Sequence, residues 1–262
     1  MPLTYSIVIF LIGLCIGSFV NVVIDRLPKK ESIVSGRSYC DKCRKKLTWY
    51  ELIPVLSFVF LRRKCKDCKA LLSFQYPVIE IIIGLLLLAI YTFLFQDKSF
   101  DFKGITLLIY YISIVASFVA IFVIDIKHGI IPDKIITFMI IVILSYSFIF
   151  EKGLVVESFI SAIFAFIFFL ALVLITKGKG MGFGDAKLSF AMGLFLSFPG
   201  IVVSLYVAFL TGAFVSIILV LWGKKHFRKS TIPFAPFLAF GAILSLFLGN
   251  QIWQYAKLIL QF

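Results

Sequence analysis

The chain has 262 residues, of which 61% are hydrophobic, and its 26 Lys and Arg against 13 Asp and Glu give a formal net charge of +13. A mean hydropathy of +1.08 leaves too little polar surface to cover a water-soluble globule, whose apolar share is usually about half. Composition therefore excludes a disordered chain, a disulfide scaffold and a collagen-like polymer, and it indicates a membrane protein.

Seven apolar runs follow one another along the chain, and a helix that crosses a bilayer needs about 20 mostly apolar residues. They cover residues 1–24, 70–96, 104–124, 135–150 (extendable back to 130), 158–176, 188–223 and 230–256. The sixth run would be about 54 Å long as one helix, well beyond the roughly 30 Å hydrocarbon core. Because Ser-Phe-Pro-Gly at 197–200 can break it, we predict an all-α polytopic membrane protein with about eight transmembrane helices.

The basic residues are concentrated in the first polar segment, because 13 of the 26 lie between Arg26 and Lys69. Basic loops favour the cytoplasmic side, and alternation of spans places the loops at 127–134, 177–187 and 224–229 on that same side. Both termini are then expected to face outward. We therefore interpret the positive charge as the feature that orients the chain in the lipid bilayer, and we expect no nucleic-acid partner.

Two aspartates stand at the edges of predicted spans, where ionisable groups are costly and often functional. Asp125 ends the third span, and Asp185 opens the sixth after two glycines, Gly182 and Gly184, that permit close backbone approach. Paired carboxylates cannot both ionise easily, so one can activate water while the other protonates a leaving amine. The alternative is that each caps a helix or reaches interfacial water. Asp133, which follows a proline at the start of the fourth span, is better interpreted as a helix N-cap.

Four cysteines form two CxxC pairs in the basic segment, with 21 residues between the pairs. They are Cys40, Cys43, Cys65 and Cys68. Two CxxC turns can supply the four thiolates of a tetrahedral Zn²⁺ site, and a cytoplasmic location disfavours disulfides. We therefore predict a cytoplasmic zinc-knuckle loop. A redox dithiol pair and four unrelated thiols are the alternatives.

An ordered set of segments resembles the bacterial type IV prepilin peptidases, which are bifunctional leader peptidase/N-methyltransferases and GxGD-type membrane aspartyl proteases. The matching segments are residues 17–28, the two CxxC pairs, 49–57, 76–80, 123–133 and 180–188. They run in family order over about the first three quarters of the chain. A lone GxGD is a weak signal, whereas this ordered set is specific.

The resemblance implies a bacterial inner-membrane enzyme that removes the basic leader from type IV prepilins or pseudopilins at the cytoplasmic face. It implies that Asp125 and Asp185 are the catalytic pair, that Asp133 is supportive, and that Lys187 is the lysine of the GxGDxK pattern. N-methylation of the new N terminus implies S-adenosylmethionine as donor, although the sequence shows no donor pocket. We expect a first transmembrane helix at 1–25, a methyltransferase-associated cysteine loop at 26–73 and a protease bundle at 74–262.

Two other classes of function are compatible with these features. A non-enzymatic transporter or assembly factor could carry a zinc-stabilised loop, with Asp125 and Asp185 as ion-pathway or capping residues. A peptidase without methyltransferase activity is the second. Glu80, which lies inside the second predicted span, could either make a helix–helix hydrogen bond or act in catalysis.

Overall fold

The computed structural model describes residues 3–94, 101–178, 180–222 and 233–260. Within these ranges the chain is helical, and two isolated β-bridges in the cysteine loop are its only β-type pairing. The helices are α1 (Leu3–Arg26), α2 (Leu56–Phe60), α3 (Gln75–Leu94), α4 (Phe102–His128), α5 (Asp133–Phe150), α6 (Val155–Ile175), α7 (Phe183–Leu221) and α8 (Ala235–Leu260). Two short 3₁₀ turns cover Trp49–Leu52 and Lys152–Leu154.

Seven helices of the described chain are long and apolar enough to cross a membrane. This confirms the predicted all-α polytopic class. The helix α7 has 39 residues, and its backbone leaves the helical region at Ser197 (φ 50°, ψ −173°) and Phe198 (φ −81°, ψ 141°). The break falls at the predicted Ser-Phe-Pro-Gly sequence and divides α7 into two helical segments, so the described residues contain seven candidate spans where eight were expected.

Several predicted span boundaries differ from the structure, among them the start of the sixth span, since α7 begins at Phe183 and not at residue 188. Residues 70–74 belong to the cysteine loop, because Leu71 pairs with Lys64 in a β-bridge, and α3 begins only at Gln75. The helix α4 continues past the predicted end at residue 124 to His128, so Asp125 lies within its last turn. The basic cluster at 224–229 and the beginning of the last predicted span lie outside the described residues.

The chain divides into two compact units, Met1–Ala120 and Ile121–Phe262. In the first unit, α1 packs along α3. The two backbones touch at a glycine pair, because a Cβ added at Gly13 would lie 2.6 Å from Gly84 Cα and one at Gly17 would lie 2.6 Å from Glu80 Cα. This close contact fixes the polar start of α3 beside the end of α1, below the cysteine loop.

In the second unit, α7 packs against both α6 and α8, with a smaller contact to α5. The Ser189 hydroxyl of α7 donates a 3.2 Å hydrogen bond to the Ala165 carbonyl of α6. Phe169 of α6 stacks against Phe209 of α7 at 5.9 Å between ring centroids. The Ser189 contact holds the N-terminal segment of α7, which carries Asp185, against α6, and the Phe209 contact holds the segment after the break.

Candidate functional site

The two aspartates singled out from the sequence are both buried in the second unit. Asp125 is 5% exposed and Asp185 is 6% exposed. The Asp125 carboxylate accepts a hydrogen bond from the backbone N–H of Ala235, the first residue of α8. The two carboxylates also interact electrostatically with each other. The structure therefore brings together two acids that are 60 positions apart in the sequence.

Helix ends hold both aspartates in place. Gly129 adopts a left-handed conformation (φ 64°) and its N–H donates a 2.8 Å hydrogen bond to the Asp125 carbonyl, which closes the end of α4. At the start of α7, Gly182 is the N-cap residue, and its N–H donates a 3.0 Å hydrogen bond to Asp185 Oδ2. Gly184 lies close to Ile131, because an added Cβ would be 3.1 Å from Ile131 Cδ1 and would require that side chain to shift. Gly184 thus lets the start of α7 lie against the α4–α5 connection.

Asp133 and Lys187 form an ion pair, with 2.7 Å between Lys187 Nζ and Asp133 Oδ1. The prediction that Asp133 caps α5 is wrong, since Pro132 is the N-cap residue and the cap has no side-chain hydrogen bond. Asp133 is instead the first residue of α5 and reaches across to α7. The pair joins the loop that follows Asp125 to the helix turn that contains Asp185.

The four cysteines of the first unit converge on one point, and their sulfur atoms all lie within 4.8 Å of one another. Cys40 Sγ lies 3.8 Å from Cys68 Sγ, and Cys43 Sγ lies 4.0 Å from Cys65 Sγ. Tetrahedral zinc with Zn–S bonds of about 2.3 Å requires S–S separations of about 3.8 Å. The donor set fits Zn²⁺, and two of the S–S separations are already close to the tetrahedral value.

The two CxxC turns have the same backbone plan, displaced by 25 residues. The N–H of Cys40 bonds to the Lys45 carbonyl at 2.9 Å, and the N–H of Cys65 bonds to the Ala70 carbonyl at 2.9 Å. The backbone N–H of Cys68, followed by that of Asp67, lowers the pKa of the Cys65 thiol to about 7. Thiolates are the ligand form, so this turn favours metal binding near neutral pH.

A cavity of about 170 Å³ lies in the first unit between the end of α1, the start of α3 and the cysteine loop. Three of its acidic lining residues are Asp25, Glu51 and Glu80. Sequence reasoning did not assign Asp25 or Glu51 to any site, although both lie within segments that carry the family resemblance. An acidic residue in a segment rich in Lys and Arg is the only sequence signal for Glu51. Its burial is visible only in the fold.

Two protein-family models match the chain in succession. Residues 11–94 match the bacterial peptidase A24 N-terminal domain, and residues 112–217 match the type IV leader peptidase family. A prepilin leader peptidase/N-methyltransferase of Bacillus subtilis is 32% identical over 249 residues, which cover 95% of this chain and 96% of the relative. The chain belongs to the type IV leader peptidase family. The resemblance inferred from the motifs is thereby confirmed.

Other members of the family show the same relationship. The prepilin leader peptidase/N-methyltransferase of Aeromonas hydrophila is 30% identical over 283 residues, covering 97% of this chain and 94% of the relative. That of Myxococcus xanthus is 47% identical over 85 residues, which cover 32% of this chain and 25% of the relative. No solved structure matches the chain. The cysteine tetrad falls in the first matched region, and Asp125 and Asp185 fall in the second.

Proposed function

We propose that the protein cleaves the leader peptide from type IV prepilins or pseudopilins and N-methylates the N terminus that cleavage exposes. The observation that carries the peptidase assignment is the pair of buried, interacting carboxylates of Asp125 and Asp185. The family relationship supports both activities, since the relatives are named prepilin leader peptidase/N-methyltransferase.

The aspartate pair supplies the acid and the base that peptide hydrolysis needs. The ionised carboxylate takes a proton from water as the water oxygen bonds to the scissile carbonyl carbon, and the protonated carboxyl gives its proton to the leaving nitrogen as the C–N bond breaks. Fixed backbone donors, Ala235 N–H on Asp125 and Gly182 N–H on Asp185, orient the two groups.

Four further residues support this pair in the proposal. Gly184 lets the start of α7 lie close to Ile131 of the α4–α5 connection, the Gly182 N–H donates to Asp185 Oδ2, and the ion pair of Lys187 with Asp133 links α7 to α5. These are positioning roles, because the groups act through Asp185 and its helix turn.

The proposed location is the bacterial inner membrane, with the aspartates and the cysteine loop on the cytoplasmic side and both termini outside. The support is the basic first loop, since Lys and Arg are retained preferentially on the cytoplasmic side. The proposed division is a first helix at 1–25, a methyltransferase-associated loop at 26–73 and a protease bundle at 74–262.

Zinc and S-adenosylmethionine are the proposed cofactors. Cys40, Cys43, Cys65 and Cys68 would hold Zn²⁺ as a structural ion, because four thiolates complete its coordination and leave no open position. When bound, S-adenosylmethionine would supply an electrophilic methyl group for the deprotonated amine of the new pilin N terminus.

The decisive experiment measures cleavage of a purified prepilin by Asp125→Asn and Asp185→Asn in membranes. Each substitution keeps the side-chain shape and removes the acid–base function, so cleavage should fall by at least about 100-fold. Glu157→Gln, an exposed acid on α6, is the matched control and should cleave at the wild-type rate. Full cleavage by both aspartate variants would contradict the peptidase assignment and favour a transporter or assembly factor.

Mass spectrometry of the mature pilin N terminus tests the second activity separately. A mass increase of one methyl group on the new N-terminal residue is expected in the presence of S-adenosylmethionine. An unmodified N terminus throughout would reduce the protein to a peptidase.

A further inference from the structure

We propose that the cavity of the first unit is the binding site for S-adenosylmethionine and that Glu51 and Glu80 balance the positive charge of its sulfonium group. This inference rests on the proposed N-methyltransferase activity, and it adds the location and the recognition chemistry of the donor, neither of which the family relationship supplies.

The first argument is that the cavity lining contains four acidic side chains, Asp25, Asp41, Glu51 and Glu80, against the basic Arg26 and Lys29. Glu51 is 8% exposed and Glu80 is 6% exposed. Neither forms an ion pair among the residues that the structure describes, although Lys45 and Lys66 interact electrostatically with Glu51. Buried carboxylates are costly unless cations compensate them. A cationic ligand would balance the excess of acids in the lining.

The hydrogen bonds that hold these two carboxylates come from neutral donors. Glu51 Oε2 accepts from the Thr48 backbone N–H at 2.8 Å and from the Thr48 hydroxyl at 2.7 Å. Glu80 Oε2 accepts from the Val55 N–H at 2.8 Å. The Thr48 N–H lowers the pKa of the Glu51 carboxyl below its ordinary value, so Glu51 is ionised at neutral pH. The cavity therefore presents negative charge in a fixed position.

The basic side chains in the same wall are engaged elsewhere. Arg26 is 8% exposed, and its guanidinium donates to the carbonyls of Ser32 at 2.8 Å and Arg37 at 3.0 Å. Lys29 pairs with Asp41 at 3.3 Å. Lys29 therefore balances Asp41, and the charge of Arg26 offsets one of the three other acids of the lining, which leaves an excess of negative charge.

The lining also contains a group of apolar side chains, which suit an organic cation better than a metal ion. Leu52, Phe58, Leu61 and Leu72 line the cavity and form a surface on which an adenine ring could pack. In the described part of the chain, the cysteine tetrad is the only group of three or more His, Cys, Asp or Glu close enough to hold a metal. The acids of the cavity are therefore arranged for a charge with an apolar body, as in a sulfonium nucleoside.

The metal centre forms one wall of this cavity. Cys40 and Cys65 are the two buried members of the tetrad, at 7% and 4% exposure, and both line the cavity. Val55 has a left-handed backbone (φ 59°) that a β-branched residue rarely adopts, and its N–H donates to Glu80, which lines the cavity. A zinc ion at the tetrad would therefore fix the shape of the donor site without touching the donor.

Because methyl transfer removes the sulfonium charge, these carboxylates should contribute to donor binding rather than to the rate of the transfer step. The test is calorimetric titration of the full-length, zinc-retaining protein in nanodiscs, without prepilin, using S-adenosylmethionine and then S-adenosylhomocysteine. In Glu51→Gln and Glu80→Gln the Kd for S-adenosylmethionine should rise about tenfold, the effect of one lost charged contact. The Kd for the uncharged thioether product should change much less.

Glu31→Gln is the matched control, because Glu31 lies in the same loop, is half-buried and bonds to the Tyr39 hydroxyl, but does not line the cavity. It should bind both ligands like the wild type. Unchanged affinity in both cavity variants, or equal losses for both ligands, would overturn the assignment. Absence of donor binding by the wild type would overturn it too, and a parallel prepilin cleavage assay then shows whether the peptidase assignment survives.

Photo-crosslinking of methyl-labelled S-adenosylmethionine to the wild-type protein gives a result that does not depend on the variants folding. Peptides from residues 18–29 or 47–61 should carry the label. Label confined to other segments would place the donor elsewhere and overturn the proposal.

Discussion

Lys187 lies two residues after Asp185, and its ammonium contacts Asp133 Oδ1 at 2.7 Å across the gap between α7 and α5. The two side chains are 37% and 69% exposed, and exposed ion pairs contribute at most about 1 kcal/mol to the free energy of unfolding. The pair is therefore too weak to hold the fold, but it can select the orientation of the helix turn that carries Asp185.

We expect Lys187→Met to lower kcat for prepilin cleavage by about threefold to tenfold, since small displacements of a catalytic group are costly, with KM and thermal stability nearly unchanged. Lys187→Arg should restore kcat because it keeps the charge. Added salt screens an exposed pair, so the wild-type kcat should fall with ionic strength and the Met variant's should not. A Met variant with wild-type kcat at low salt would contradict this role.

Asp125 and Asp185 could be identified from the sequence, because a charged residue at the edge of an apolar run is evident however the helices pack. It did not reveal the partner of Asp133, because that contact depends on how α5 and α7 are placed side by side. Asp133 after Pro132 has the local pattern of a helix cap, and a tertiary contact overrides that pattern here.

At the scale of elements, α7 is the helix on which the second unit is assembled. Gly193 faces Ala162 of α6 so closely that an added Cβ would collide with the Ala162 backbone. Gly212, on the same helix, faces ring atoms of Phe234 at 3.2 Å, and a side chain can move where a backbone cannot. The two glycines therefore differ in what a methyl group would displace.

We predict that Gly193→Ala lowers the free energy of unfolding by about 1–3 kcal/mol, the usual cost of overpacking, and separates α6 from α7. Gly212→Ala gains the same helix propensity and should change stability by less than about 1 kcal/mol. Thermal unfolding of both variants in detergent measures the difference. Equal stabilities would show that the α6–α7 contact adjusts freely.

The order and type of the elements could be predicted because the bilayer sets the length of a span. The break in α7 could be predicted because a single helix of that length does not fit the bilayer. The ends of the spans were harder to predict from the sequence. Leu71 is apolar, so the sequence predicts it as part of a span. Its β-bridge to Lys64 places it in the cysteine loop, before α3 begins.

At the scale of the whole molecule, the two proposed activities fall in different units. The cysteine tetrad and the acidic cavity belong to Met1–Ala120, whereas Asp125 and Asp185 belong to Ile121–Phe262. The CxxC spacing was enough to predict a four-cysteine metal site. The cavity could not be predicted, because its walls come from α1, α3 and the loop between them, and only the close α1–α3 contact encloses it.

Removal of zinc should therefore separate the two activities. In Cys40→Ser/Cys43→Ser, elemental analysis should show the loss of about one zinc per chain. Metal binding stabilises such a loop in its folded form, so its loss should disorder the cavity wall that contains Cys40 and Cys65. We expect methylation of the pilin N terminus to fall far more than leader cleavage, because both aspartates keep their backbone donors within the second unit.

Cys15→Ser is the matched control for this experiment, since Cys15 is exposed on α1 and stands apart from the tetrad. It should retain zinc and both activities. Two outcomes would contradict the assignment of one reaction to each unit: a parallel loss of cleavage and methylation in the double variant, or full methylation by a protein from which zinc is absent. The former would mean that the cysteine loop also positions the prepilin for hydrolysis, and the latter that the tetrad does not shape the donor site.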